Sequence, residues 1–211
     1  MVLDRSYEEV IVDNLLLLYL ISKSGRLGRT KLQKLVYLVE CKLGKKGLKT
    51  FNYNFYRWNI GPFTQQIFQD GEALVDNNII SDVSTKPTER GIDILKQCDK
   101  IFENNKQILK EIDKIIYKYD KLPLEKIKDA VYESKVNING KLLKVKDVPM
   151  GEDLKVKISE DKAVNEFRIA KEWLETLDIL LDEEFSNSIH EAMGDAKKHR
   201  AYRYDEVFLD V

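Results

Sequence analysis

Apolar residues along the first third of the chain recur with helical spacing. Ser6 and Glu9 are spaced as a capping box, and Val10, Leu15, Leu17, Leu18 and Ile21 supply a broad apolar stripe. A helix is therefore expected from about Ser6 to Ser22, stopped by Ser24-Gly25. After Gly28, Thr30 stands where it would cap a second helix reaching about Leu43, with Gly44 and Gly47 ending it. Leu32, Leu35, Val36, Val39 and Leu43 of that helix fall within roughly 100°, while Lys31, Lys34, Lys42 and Lys45 gather on the neighbouring arc. This predicts one core face and one cationic face.

The period then changes to two. From Phe51 to Trp58 aromatic and polar residues alternate: Phe51, Tyr53, Phe55 and Arg57 face one way, Asn52, Asn54, Tyr56 and Trp58 the other. A strand is expected, broken by Gly61-Pro62. A third helix follows over about Thr64 to Asn77, and the β-branched stretch Ile79 to Thr85 could pair with the aromatic strand. A long helical pattern runs from Thr88 to about Tyr119, bent at Asn104-Asn105. Pro123 opens another helix, ending near Glu133. Residues 136–158 alternate Val, Ile and Leu with Lys around Asn139-Gly140, a strong two-residue hairpin signal. An acidic helix is expected from about Glu160 to Asp182, a shorter one from Asp182 to Lys198, and an extended tail from Tyr202 to Val211.

Composition changes this picture in two ways. The 211 residues are 43% hydrophobic, enough for a packed core, and 34% charged with a formal net charge of −1. That near-neutrality conceals an asymmetry. Between Lys23 and Lys49 nine basic residues face one acid, whereas from Met150 onward sixteen acids face nine bases. Polarity of this kind suggests an anionic partner for the front, or a front that docks on the back. No apolar run reaches the ~18 residues of a membrane helix, and nothing near the start resembles a basic leader, so a cytoplasmic protein is expected. Cys41 and Cys98 read as buried small hydrophobes.

No catalytic constellation can be assembled. His190 and His199 form no metal pattern, Glu183-Glu184 point about 100° apart on a helix, and no phosphate loop, nucleophile elbow or zinc spacing occurs. No catalytic residue, cofactor or metal site is expected. Binding chemistry is better represented. The helix after Gly61-Pro62 offers Thr64, Gln65, Gln66 and Gln69 to base edges, but it carries Asp70 and Glu72 and no Lys or Arg. Nucleic-acid contact would need its charge from Lys31, Lys34, Lys42, Lys45 and Lys46. The outer side of the aromatic strand, Tyr56 and Trp58, is the alternative: a protein-binding surface.

Lys31-Leu32-Gln33-Lys34-Leu35-Val36-Tyr37, followed by an aromatic strand and Gly61-Pro62, resembles the Panacea family of SocA-like, phage-associated antitoxin domains, and equally the YwgA-like proteins. The resemblance covers roughly residues 8–132, with Thr64 to Asn77 and Asn78-Ile79-Ile80 as counterparts of the family's following helix and apolar segment. Asn59-Ile60 and Phe63 depart from the family pattern, and residues 136–158 have no counterpart. It implies that Lys31, Leu32, Gln33, Lys34, Tyr37, Gly61 and Pro62 are structural motif residues. A second stretch, Asp182-Glu183-Glu184-Phe185, Ser188-Ile189, Glu191-Ala192, Asp195-Ala196, Arg200-Ala201-Tyr202 and Glu206-Val207-Phe208, is similar to the acidic tails with which small antitoxins wrap basic toxins. That similarity implies partner contacts at Glu183, Glu184, Tyr202, Val207 and Phe208.

The expectation is a mainly α protein with minor β structure. It comprises a winged-helix-like core over residues 1–134, a β-hairpin insertion over 135–158 and an acidic helical segment over 159–211. Its expected function is non-enzymatic: neutralising a partner toxin by direct binding. The alternatives are a winged-helix regulator that binds DNA, and an adaptor delivering clients to a protease. The oligomeric state is open, a homodimer included.

Overall fold

The computed structural model describes residues 5–83, 86–154 and 165–197. The chain is mainly α, with nine α-helices and three two-stranded sheets among the described residues. Helix α1 (Tyr7–Lys23) opens with the expected capping box, Ser6 and Glu9 each satisfying the other's backbone N–H. Helix α2 (Arg29–Gly44) differs at its start: Gly28, at φ 72°, is the cap residue and Thr30 lies inside the first turn. Both helices are buried almost all round, α1 continuously from Leu15 to Ile21 and α2 from Leu32 to Val39. A helix without a wet face is a central one, and most of the other described helices pack on this pair.

Strand β1 (Leu48–Lys49) leads to an extended segment in which Phe51, Tyr53 and Phe55 are buried and Asn52 and Asn54 are only partly so. The period-two reading thus describes the side chains correctly, but ladder pairing begins only at β2 (Tyr56–Trp58). Gly61-Pro62 does not end that strand; it begins its antiparallel partner β3 (Gly61–Phe63), and the reversal falls at Asn59-Ile60. Gly61 sits at φ 98°, a conformation that favours glycine. Helix α3 (Gln66–Asp76) follows, starting two residues later than its sequence pattern suggests. The apolar stretch after it turns inward, with Ile79 and Ile80 buried. Among the described residues its β pairing is the single bridge Ile80 to Pro87 and not a ladder with the aromatic segment.

The long helical pattern is divided into α4 (Glu89–Gln97), α5 (Asp99–Asn104) and α6 (Lys106–Tyr119). Thr88 caps the first of them, accepting from the Gly91 N–H at 3.1 Å. Asn105, at the expected bend, is buried: it donates to the Arg168 carbonyl at 2.8 Å and accepts from the Arg168 N–H at 2.9 Å. Helix α7 (Leu124–Tyr132) starts after Pro123 as read. Strands β4 (Lys135–Ile138) and β5 (Lys141–Lys144) form the expected hairpin, with Asn139 and Gly140 at φ 48° and 83°, the left-handed pair that a type I′ turn needs.

The expected acidic helix from Glu160 is corrected. Strand β6 (Asn165–Glu166) pairs parallel with β1, and α8 starts only at Lys171, running to Leu181. Helix α9 (Glu183–Lys197) follows Asp182, whose carboxylate accepts from the Phe185 N–H at 2.8 Å. Residues 155–164, the tail from Tyr202 to Val211 and His199 lie outside the described residues. One hydrophobic core joins all three expected segments: Val136, Val145, Val148, Leu154, Phe167, Leu174 and Leu177 share it with α1 and α2. Both cysteines are free and buried within it. Among the described residues no helix is long and apolar enough to cross a membrane.

Candidate functional site

The Lys31–Tyr37 stretch of α2 works as a clamp on β3 and Thr64. Gln33, 2% exposed, donates from Nε2 to the Thr64 carbonyl at 2.6 Å and accepts from the Thr64 N–H at 3.1 Å. Lys34, 1% exposed, donates from Nζ to the Pro62 carbonyl at 2.5 Å. Burial pushes its ammonium down to about 8, helped by repulsion from Arg57 and Lys128. Lys31 donates to the Asp120 carbonyl, and Tyr37, fully buried, packs edge-on against Phe55 with centroids 5.2 Å apart. The two hydrogen bonds of the Gln33 side chain hold both backbone groups of one buried residue. Removing them in Gln33→Ala leaves a donor and an acceptor unpaired, a loss of about 2 kcal/mol. Urea unfolding checks this; a midpoint shift worth under about 0.5 kcal/mol would contradict the clamp.

This packing corrects much of the nucleic-acid reading. Lys34, Thr64 and Gln66 are buried and face other parts of the chain, so they are not available to bases or phosphates. Gln66 accepts from the Asn54 N–H at 2.8 Å, and its own N–H reaches the Thr64 hydroxyl. Of the α3 set only Gln65 and Gln69 are exposed. The cationic arc of α2 is likewise divided: Lys42 lies 5.4 Å from the Tyr119 ring centre, Lys46 pairs with Glu111, and Lys45 is exposed. Most of the lysines read as one patch serve separate intramolecular contacts.

The aromatic segment divides as its period suggests. Tyr56 is half-buried between Trp58 and Phe63, at 5.9 and 5.5 Å between ring centres, while Trp58 and Ile60 are 46% and 42% exposed. Near this hairpin an open depression of about 380 Å³ is lined by Arg57, Asp129, Tyr132, Glu133 and Lys146, with the Arg57 guanidinium 5.4 Å from the Tyr132 ring. Glu133 already pairs with Lys144 and Lys146, at 2.6 and 2.7 Å, and is held down to about 2 by them. The depression is thus a surface of two cations and two carboxylates beside the Tyr132 ring, its charges largely matched.

The acidic C-terminal unit is rooted through α8, whose Leu174 and Leu177 enter the core, and through the start of α9. Glu183 is half-buried, its N–H donating to Asn77 Oδ1 at 2.9 Å and its carboxylate accepting from Asn78 at 3.3 Å. Arg90 donates to the Leu180 carbonyl at 2.8 Å, tying the end of α8 to α4. Glu184 is exposed, as are Phe185 and Met193, at 50% and 55%. Tyr202, Val207 and Phe208 lie outside the described residues. From Lys171 to Lys197 the sequence has eight carboxylates and two amines.

A polar network that sequence reading missed lies in the interior. Arg5 donates to Asp13 at 2.7 Å and, through both terminal nitrogens, to Asp70 at 2.7 and 2.8 Å. Its guanidinium stacks 5.0 Å from the Tyr53 ring, and the Tyr53 hydroxyl donates to Asp70 at 2.8 Å. The Asn52 N–H and amide complete Asp13 at 2.8 and 3.2 Å. A signal for it exists in the sequence: Asp13 interrupts the apolar face of α1, and Asp70 stands between Ile67 and Leu74 on the buried face of α3. Among the described residues no group of three or more His, Cys, Asp or Glu is placed to hold a metal ion. Compared with known proteins, this chain matches no family model, no curated protein and no solved structure.

Proposed function

We propose that this protein acts in the cytoplasm as a non-enzymatic, antitoxin-like binding protein that neutralises a basic partner protein by holding it against the α8–α9 unit. The observation that carries this reading is the charge of that unit, eight carboxylates against two amines, on helices of whose described side chains only Leu174, Leu177 and Ser186 are buried. A surface of one sign steers an oppositely charged partner and rejects like-charged ones. The antitoxin character comes from the sequence resemblance and is part of the proposal.

Co-expression with the products of neighbouring genes tests it. A basic neighbour that arrests growth alone should be tolerated when this protein is present and should co-purify with it. Glu184→Lys with Glu191→Lys, both exposed positions, should weaken that complex by about tenfold or more at low salt and restore the arrest. A complex indifferent to these reversals and to ionic strength would refute the reading.

A further inference from the structure

The α9 helix is built to be covered, and the described residues do not cover it. Of the side chains described from Glu183 to Asp195, Ser186 alone is buried. A helix of 15 residues gains little stability by itself in water; packing of an apolar face supplies it. Such a face exists: Phe185, Ile189, Ala192 and Met193 recur at i, i+4, i+7 and i+8, an arc of about 100°. Ile189 is half-buried, but Phe185 and Met193 remain half exposed and Ala192 is exposed. Bordering this arc, Glu184, Ser188, Glu191 and Asp195 repeat at i, i+4, i+7 and i+11, a line with three carboxylates. At its root α9 is fixed by Asp182 and by the bonds of Glu183 to Asn77 and Asn78, so the arc is presented at a set angle.

We propose that the exposed arc of α9 is a docking surface for a cationic amphipathic helix, whose apolar stripe covers Phe185, Ile189, Ala192 and Met193 while its flanking Lys or Arg residues meet Glu184, Glu191 and Asp195. This rests on the reading of the α8–α9 unit as the partner-binding surface and specifies what that surface takes. Charge decides the occupant. A second copy of this chain would bring the same strongly acidic unit, eight carboxylates to two amines, against the first, whereas a basic helix satisfies both the arc and its rim.

The test uses the full chain and a labelled synthetic peptide of about 18 residues, built of Leu and Lys with the leucines at helical spacing. Two controls accompany it: the same composition scrambled to lose the stripe, and a Leu/Glu counterpart. The patterned basic peptide should bind, and the scrambled and acidic ones should bind at least about tenfold more weakly. Phe185→Ser with Met193→Ser should cost a similar factor without lowering the melting temperature, since both side chains are already half in water. Equal binding of the scrambled peptide, or no effect of the double serine variant, overturns the proposal. So does a dimer in light scattering that the same variant dissociates, because a second copy is then the occupant. Patterned-peptide binding to a chain ending at Lys197 but not to the full chain also overturns it, since residues 198–211 then hold the surface. Failure of the antitoxin reading looks different: peptide binding persists while no neighbouring gene product is neutralised.

Discussion

Arg5→Ala is expected to lower the folding stability at pH 7 by about 3–5 kcal/mol, the range for removing one partner of a buried ion pair. The Arg5 side chain is 8% exposed, that of Asp13 is fully buried and that of Asp70 is 6% exposed. One guanidinium serves two carboxylates from different helices, and Tyr53 contributes its ring to the cation and its hydroxyl to Asp70. Without the cation, the desolvated Asp13 and Asp70 carboxyls are left against each other and must take up protons, hydrate or part. Their separation would pull α1 from α3 and loosen the aromatic segment between them. Lysine at this position keeps the charge but cannot bridge both acids with a planar fork, so Arg5→Lys should fall between wild type and alanine. The pair Lys96–Asp93, with side chains 69% and 63% exposed, provides the comparison, and Lys96→Ala should change stability by no more than about 0.5 kcal/mol. Urea unfolding of the three variants measures this. An Arg5→Ala loss of less than about 1 kcal/mol would show that the network contributes little to holding these elements together.

Local signals translate faithfully into local structure. The Ser6–Glu9 capping box, the Pro123 helix start and the Asn139-Gly140 turn need only their neighbours, and each occurs where its pattern places it. What the chain does over long separations is not legible in this way. The segment Phe51 to Phe55 is extended with alternating burial, yet Asn52 bonds to Asp13 and Asn54 to Gln66, and Phe55 accepts from the N–H of Leu154 only as part of the single antiparallel bridge Tyr56–Asp153. Periodicity reports which side is buried, not which groups the backbone meets. The same limit displaces the acidic helix, because Asn165–Glu166 is drawn into a parallel pair by Leu48–Lys49.

The lysines of α2 show how this misdirects a functional reading. Their angular clustering is real, but a cluster on one arc becomes a patch only if solvent reaches it. Here α6, α7 and β3 all pack on α2, and Lys34 is drawn inward to the carbonyl of Pro62. Glu184 and the exposed part of α9 are the opposite case, in which nothing described folds over the charge.

The Arg5 network also sets the sign of a pH dependence: the protein is expected to be more stable near pH 5 than at pH 8. Burial raises the Asp13 carboxyl to about 7, against the pull of the Arg5 hydrogen bond and charge and of the Asn52 N–H, while the charge of Asp70 pushes the same way as burial. The Glu40 carboxyl is raised well above its usual range as well, by burial and by Asp13, with Lys49 and the Tyr53 N–H opposing. In the unfolded chain such groups titrate near 4. Between about pH 4 and 7 the folded state therefore holds a proton that the unfolded state has released, and stability falls as pH rises through that window. The loss due to Asp13 is on the order of 2–4 kcal/mol and is complete above its folded value. Glu111, held down to about 2 by Lys114 and Lys46, acts in the opposite direction, its contribution disappearing as pH falls below about 4.5. The two trends place the maximum near pH 4, where the windows meet. Asp13→Asn combined with Glu40→Gln should abolish the slope between pH 5 and 8. The amide that Asp13→Asn introduces will lower stability throughout by turning a donor toward Arg5, but an offset that is constant with pH leaves the test intact. Urea midpoints at unit intervals of pH decide it: if the double variant keeps the wild-type slope, the titrating groups lie elsewhere and these two carboxyls are not protonated in the folded protein.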